Sequence, residues 1–229
     1  MCGRFAQYQK PSRYGQLMGL DLFQGAPALE RYNVAPTTGV HVIHQDGDTF
    51  RGSIIPWGWK PHWAKGRAGP INARLETVAT KPFFRPIWKH GRCIVGADGW
   101  YEWKKDPEDP KRKQPYFIRL KSGEPLLFAA IGQLPQHDEE PGQGAGFVII
   151  TGEADAGLID VHDRKPLVLA PDFAKSWLSA DTSPDEALHI AEHQELPANA
   201  FEWYPVGSAV GNVRNKGPEL IQPIDAPLL

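Results

Sequence analysis

The feature that most narrows the fold is punctuation. Short β-rich runs recur along the chain, and Pro or Gly interrupts each before it can grow into a long helix. The 229 residues include 22 Pro and 23 Gly, which suits a protein of strands and loops. "HVIHQDGDTFRGSII" reads as a hairpin turning at Asp46-Gly47. "PYFIRLKSGEPLLFAAIG" reads as a second, turning near Ser122-Gly123. "RCIVGADGWYEWKK" offers strands on either side of residues 96–99, and "GFVIITGEA" reads as a buried strand. Helices are fewer. One is expected over 172–179, where Pro171 opens it and Phe173 and Trp177 lie one turn apart. A second follows the capping box Ser183-Pro184-Asp185-Glu186, and a third covers 12–20. The pattern predicts an α+β fold with an antiparallel, barrel-like β core and a few flanking helices. No repeat or Gly/Ser linker divides the chain, so one domain over 1–229 is expected.

Charge divides what length does not. Residues 1–120 carry 19 Lys and Arg against 10 Asp and Glu, whereas the remainder carries 6 against 17. The basic excess concentrates in 56–92, where eight cations face a single acid, Glu76. Trp57, Trp59, Trp63 and Trp88 are interleaved with them. That pattern describes either a groove tracking phosphates while bases stack, or core tryptophans beside a solvated basic face. No apolar run has the length of a membrane span, and no hydrophobic signal-peptide core opens the chain. Two cysteines build no disulfide framework and suit a reducing interior, so a cytoplasmic, nucleoid-associated protein is expected.

Several motifs bear chemistry. Cys2 follows the initiator methionine, and removal of Met1 would place an α-amine and a thiol on neighbouring carbons. Such a group can attack an acyl carbon or condense with an aldehyde. In "DGWYEWKK", Trp100 and Glu102 share one face of an extended segment, and indole surface beside a carboxylate raises its pKa. Glu102 is thereby a candidate general acid, or else a surface residue paired with Lys104. His162 in "DVHDRKP" is expected to titrate near neutrality. "INAR" puts Asn72 and Arg74 on one side of a strand, and Arg74 and Arg164 suit phosphate oxygens, with salt bridging as the plainer use. His189-Ile190-Ala191-Glu192-His193 matches an inverted zinc-peptidase pattern. Its histidines oppose the apolar side of the wheel, however, which reads as a solvent-facing surface. CxxC pairs, phosphate loops and dinucleotide fingerprints are lacking, so neither a structural zinc site nor those nucleotide-binding motifs are expected.

Taken in order, "MCGRF", "RYNVAP", "INAR", "DGWYEW", "HDRKP" and "GNVRNKGPELIQP" resemble the SRAP family, the SOS response-associated peptidase or abasic-site processing proteins. The resemblance runs from Cys2 to about Pro223. It implies that Cys2, freed of Met1, condenses with the aldehyde of an abasic site in single-stranded DNA and closes a thiazolidine. It further implies that Asn72 orients the N-terminal group, that Glu102 is the acid/base and that His162 is a second proton shuttle. Arg4, Arg74 and Arg164 are implied as strand contacts, with Trp63 and Trp103 as surfaces near the bases. The implied protein is a monomer without membrane partners, and the peptidase label would extend at most to removal of its own Met1. An N-terminal-nucleophile amidohydrolase using Cys2 on acyl carbon is the rival reading, and a non-catalytic single-strand binding module is a third.

Overall fold

The computed structural model describes residues 2–64, 69–136, 142 and 144–227. The chain runs through β1 (Phe5–Gln7), α1 (Pro11–Leu17), β2 (Arg31–Val34), β3 (Gly39–Asp46) and β4 (Thr49–Pro56). Then come β5 (Asn72–Arg74), α2 (Leu75–Val78), α3 (Arg85–His90), β6 (Arg92–Ala97), β7 (Gly99–Lys105) and β8 (Lys113–Leu120). It closes with β9 (Leu126–Gln133), β10 (Gly146–Glu153), β11 (Arg164–Pro166), α4 (Pro171–Leu178), α5 (Pro184–His193) and β12 (Phe201–Pro205).

The strands form two antiparallel-rich sheets and do not close into one barrel. The smaller has the order β12-β8-β7-β1-β2, the larger β11-β10-β9-β6-β3-β4. β5 joins the larger sheet by pairing parallel with β10. The α+β class and the antiparallel core therefore stand.

Alternation along the strands builds three apolar layers. On β9, Leu126, Phe128 and Ala130 face the core between the sheets, while Leu127, Ala129 and Ile131 face the helices. Both faces of this strand are covered, so its sequence is a continuous apolar run. On β7, Trp100 enters the inter-sheet core and Tyr101 enters a third cluster with Phe117, Val206 and Val210.

The first expected hairpin forms, with β3 and β4 paired from Gly39↔Pro56 to Asp46↔Thr49 around Gly47-Asp48. The second does not. β8 pairs with β7 and β12, whereas β9 pairs with β6 and β10, so residues 121–125 carry the chain between sheets. The doubly apolar β9 demands a central place in the larger sheet, which a hairpin with β8 would deny it. The same switch occurs at Asp98, between β6 and β7. There Asp98 accepts hydrogen bonds from the Tyr8 and Gln9 amides and the Tyr14 hydroxyl. Gly99 follows at φ +158°, and a Cβ there would lie 2.2 Å from the Phe117 ring.

The expected helices appear at α1, α4 and α5, and Ser183 caps α5 by accepting from the Glu186 amide at 3.2 Å. His189 and His193 lie on the exposed side of α5 with rings stacked 4.5 Å apart, opposite buried Ala187, Ile190 and Ala191. No helix among the described residues is long and apolar enough to cross a membrane.

Candidate active site

β1 and β7 lie side by side, with Phe5 opposite Trp100 and the Tyr101 amide bonded to the Arg4 carbonyl at 3.0 Å. This pairing carries Cys2 toward the Glu102 end of β7. Cys2 is fully buried in the inter-sheet core. Asn72, at the start of β5, donates from Nδ2 to the Cys2 carbonyl at 2.8 Å. The Oδ1 atom of Asn72 is buried without a hydrogen-bond partner among the described residues, an acceptor close to residue 2. Burial raises the Cys2 thiol well above its ordinary pKa, and the nearby Glu102 carboxylate raises it further.

Glu102 is 3% exposed and shares a narrow pocket with Trp100, Ile118, Leu158, Val161 and His162. Loss of hydration pushes its pKa up to about 7. The spacing of Trp100 and Glu102 on one strand face thus has the expected consequence. Trp103 alternates to the other face, against the Tyr101–Phe117 cluster.

His162 stands across the pocket, its Nε2 3.9 Å from Glu102 Oε2. Its Nδ1 accepts the Arg164 amide at 3.0 Å and lies 2.8 Å from Asp163 Oδ1. Burial lowers its pKa below the ordinary value, a pull that Asp163 opposes and Lys105 reinforces. The expectation of a histidine titrating near neutrality is therefore revised downward. The two groups have been pushed past each other: a carboxyl retained to about pH 7 faces an imidazole neutral at that pH.

The arginines divide. Arg74 is exposed at the end of β5. Arg4 donates from Nη1 to Asn33 Oδ1 at 2.8 Å and to the Val210 carbonyl at 2.9 Å. Asn33 in turn approaches the carbonyls of Val210, Asn212 and Asn215 through Nδ2. "RYNVAP" and "GNVRNKG" are thus joined behind the N-terminal strand. Arg164 is clasped by Glu76, whose oxygens meet both its terminal nitrogens. Sequence reasoning assigned Glu76 nothing, although it stood out as the sole acid of the basic stretch.

The tryptophans divide too. Trp57, Trp59 and Trp88 are core residues, whereas Trp63 is 62% exposed and meets Phe83 edge-to-face at 5.9 Å. Arg92 is also structural, donating to the carbonyls of Trp177, Ser179 and Thr182. Lys65 and Arg67 lie outside the described residues.

Comparison with known proteins agrees with the order of the motifs. The family model described as SOS response associated peptidase (SRAP) matches residues 1–213. The abasic site processing protein YedK of Escherichia coli is 45% identical, over 98% of this chain and 100% of its own. YoaM of Bacillus subtilis, likewise named an abasic site processing protein, is 38% identical over 96% of this chain and 97% of its own. A phage-related protein of Bordetella bronchiseptica superposes with a TM-score of 0.76 at 38% identity, covering 90% of this chain and 94% of its own. A match spanning both sheets and every chemistry-bearing motif leaves one placement: the chain belongs to the SRAP family.

Proposed function

We propose that this chain captures abasic sites in single-stranded DNA as a thiazolidine on Cys2. The observation that carries the reading is the buried Glu102, its pKa pushed up to about 7, beside a residue 2 tethered by Asn72. Loss of Met1 turns the Cys2 nitrogen into an α-amine with an ordinary pKa of about 7.7–8.0, partly neutral at physiological pH. That amine adds to the aldehyde carbon of the ring-opened sugar, and water leaves to give an imine. The thiol then adds across the C=N bond, sulfur to carbon and proton to nitrogen, closing a five-membered ring. One water is lost overall, and proximity makes closure intramolecular.

Glu102, substantially protonated near neutrality, supplies the proton that the departing hydroxyl needs, and neutral His162 relays protons across the pocket. Asn72 orients the nucleophile. Exposed Arg74 and Trp63 meet the strand, and Trp103, on the outer face of β7, offers a further surface for a base. The contacts of Arg4 are internal, and we assign it to anchoring residue 2 rather than to phosphate. No metal or organic cofactor is required by this chemistry. The protein would act as a monomer at the nucleoid, with removal of its own Met1 and a lyase-type reversal as accessory activities. The acyl-nucleophile reading is disfavoured by the basic stretch over 56–92, which suits a polyanion and which an acyl site does not require.

The test is an adduct that survives denaturation. Wild type should form it with abasic single-stranded DNA and not with DNA whose aldehyde is capped by an alkoxyamine. Cys2→Ala should form none without added reductant, since an imine alone hydrolyses. A stable adduct from Cys2→Ala at the wild-type rate would contradict the proposal.

A further inference from the structure

Glu76 has no part in the chemistry above, yet it is the one carboxylate in a stretch otherwise devoted to cations. It lies on α2, four residues after Asn72, and both of its oxygens meet Arg164, with Oε2 3.0 Å from Nη2. Arg164 belongs to β11. Because Thr151 of β10 pairs with both Arg74 and Pro166, β5 and β11 flank that strand on opposite edges. The Arg164 side chain therefore crosses β10 to reach Glu76, and Nη2 donates to the Thr151 carbonyl on the way. The backbone amide of the same arginine donates to His162 Nδ1 at 3.0 Å. Only 11% of the Arg164 side chain is exposed, and both terminal nitrogens are engaged within the chain.

We propose that Glu76 is a positioning residue which, through Arg164, fixes the His162 ring against Glu102 and ties it to the strand that holds Cys2. The inference rests on the reading of His162 as a proton carrier. A two-oxygen grip on a guanidinium is directional, so it sets geometry. Its worth in stability is small, because the Glu76 side chain is 45% exposed. Geometry is what a proton relay is sensitive to, and misplacement by about 1 Å costs on the order of 10²-fold in rate. The competing idea makes Glu76 a mask that a DNA phosphate displaces from Arg164.

Glu76→Gln separates the two, measured at saturating abasic single-stranded DNA in single turnover, with affinity for an undamaged strand determined apart. A positioning role predicts a saturating rate lower by about 10- to 10²-fold. It also predicts faster hydrogen exchange at the Arg164 amide in the DNA-free protein, and partial recovery of the rate in the charge-swapped double variant Glu76→Arg/Arg164→Glu. An unchanged saturating rate overturns the proposal, whether exchange is altered or not and whether or not affinity rises. Wild type and His162→Ala serve as references. No adduct from wild type, or a wild-type rate from His162→Ala, would instead defeat the functional reading, leaving amide exchange to judge the clasp alone.

Discussion

Glu102 and Trp63 are both nominated for the same site, yet one is 3% exposed and the other 62%. Asn72 and Arg74, two residues apart on β5, repeat the contrast: one is bonded to the Cys2 carbonyl, the other stands in solvent. Groups that move protons are useful only where solvent has been removed, because burial is what displaces their pKa values. Groups that meet a long polyanion must lie where it can reach them, at their ordinary charge. The proposed site thus joins a buried pocket to exposed strand contacts, and the two parts should fail differently.

The pocket should give the larger effect. Glu102→Gln and His162→Ala should each slow single-turnover adduct formation by about 10²–10⁴-fold while leaving the product chemically unchanged. Their pH dependences should oppose each other. Glu102 has a raised pKa, so wild type holds the acid form below about pH 7 and loses it above. The Glu102→Gln defect should therefore be greatest near pH 6 and shrink toward pH 8. His162 has a lowered pKa and serves as a neutral ring above it. The His162→Ala defect should be greatest near pH 8 and shrink as the pH falls through that lowered pKa, where wild type itself protonates. Defects independent of pH would mean that both residues are structural.

The exposed contacts should give the smaller effect. Arg74→Ala and Trp63→Ala should weaken binding to undamaged single strands by about 5- to 10²-fold, in line with about 1–3 kcal/mol for a stacked base. The rate at saturating DNA should be preserved. For Arg74→Ala the slope of log affinity against log salt should also flatten by about 0.7, one phosphate's worth on a single strand. Anisotropy titrations over a salt series measure both quantities. Loss of saturating rate with unaltered affinity would erase the distinction between contacts and pocket.

How much of this was legible beforehand follows the same line. The environment of Glu102 was readable because strand periodicity alone sets Trp100 beside it. The α5 cap was readable because Ser183 and Glu186 act locally. Contacts between distant segments were not. Nothing near Arg4 announces Asn33 and Val210 as its partners, and nothing near Arg164 announces Glu76. Charge and aromatic content in 56–92 left a groove and a core equally open, because composition does not say which tryptophans fill a core. Three of four do. His162 was placed too near neutrality because a polar sequence neighbourhood concealed the burial that tertiary packing imposes. The crossing between β8 and β9 was missed for a related reason: turn chemistry at Ser122-Gly123 reports a reversal, not which sheet receives the next strand.

The central claim is that residue 2 is the covalent centre, and intact mass measures it directly. Wild type incubated with an abasic oligonucleotide, without reductant, should give a species equal to the Met1-less chain plus the oligonucleotide minus one water. Peptide mapping should place the link on Cys2. An adduct that retains Met1, or a link mapped to any other residue, would contradict the account.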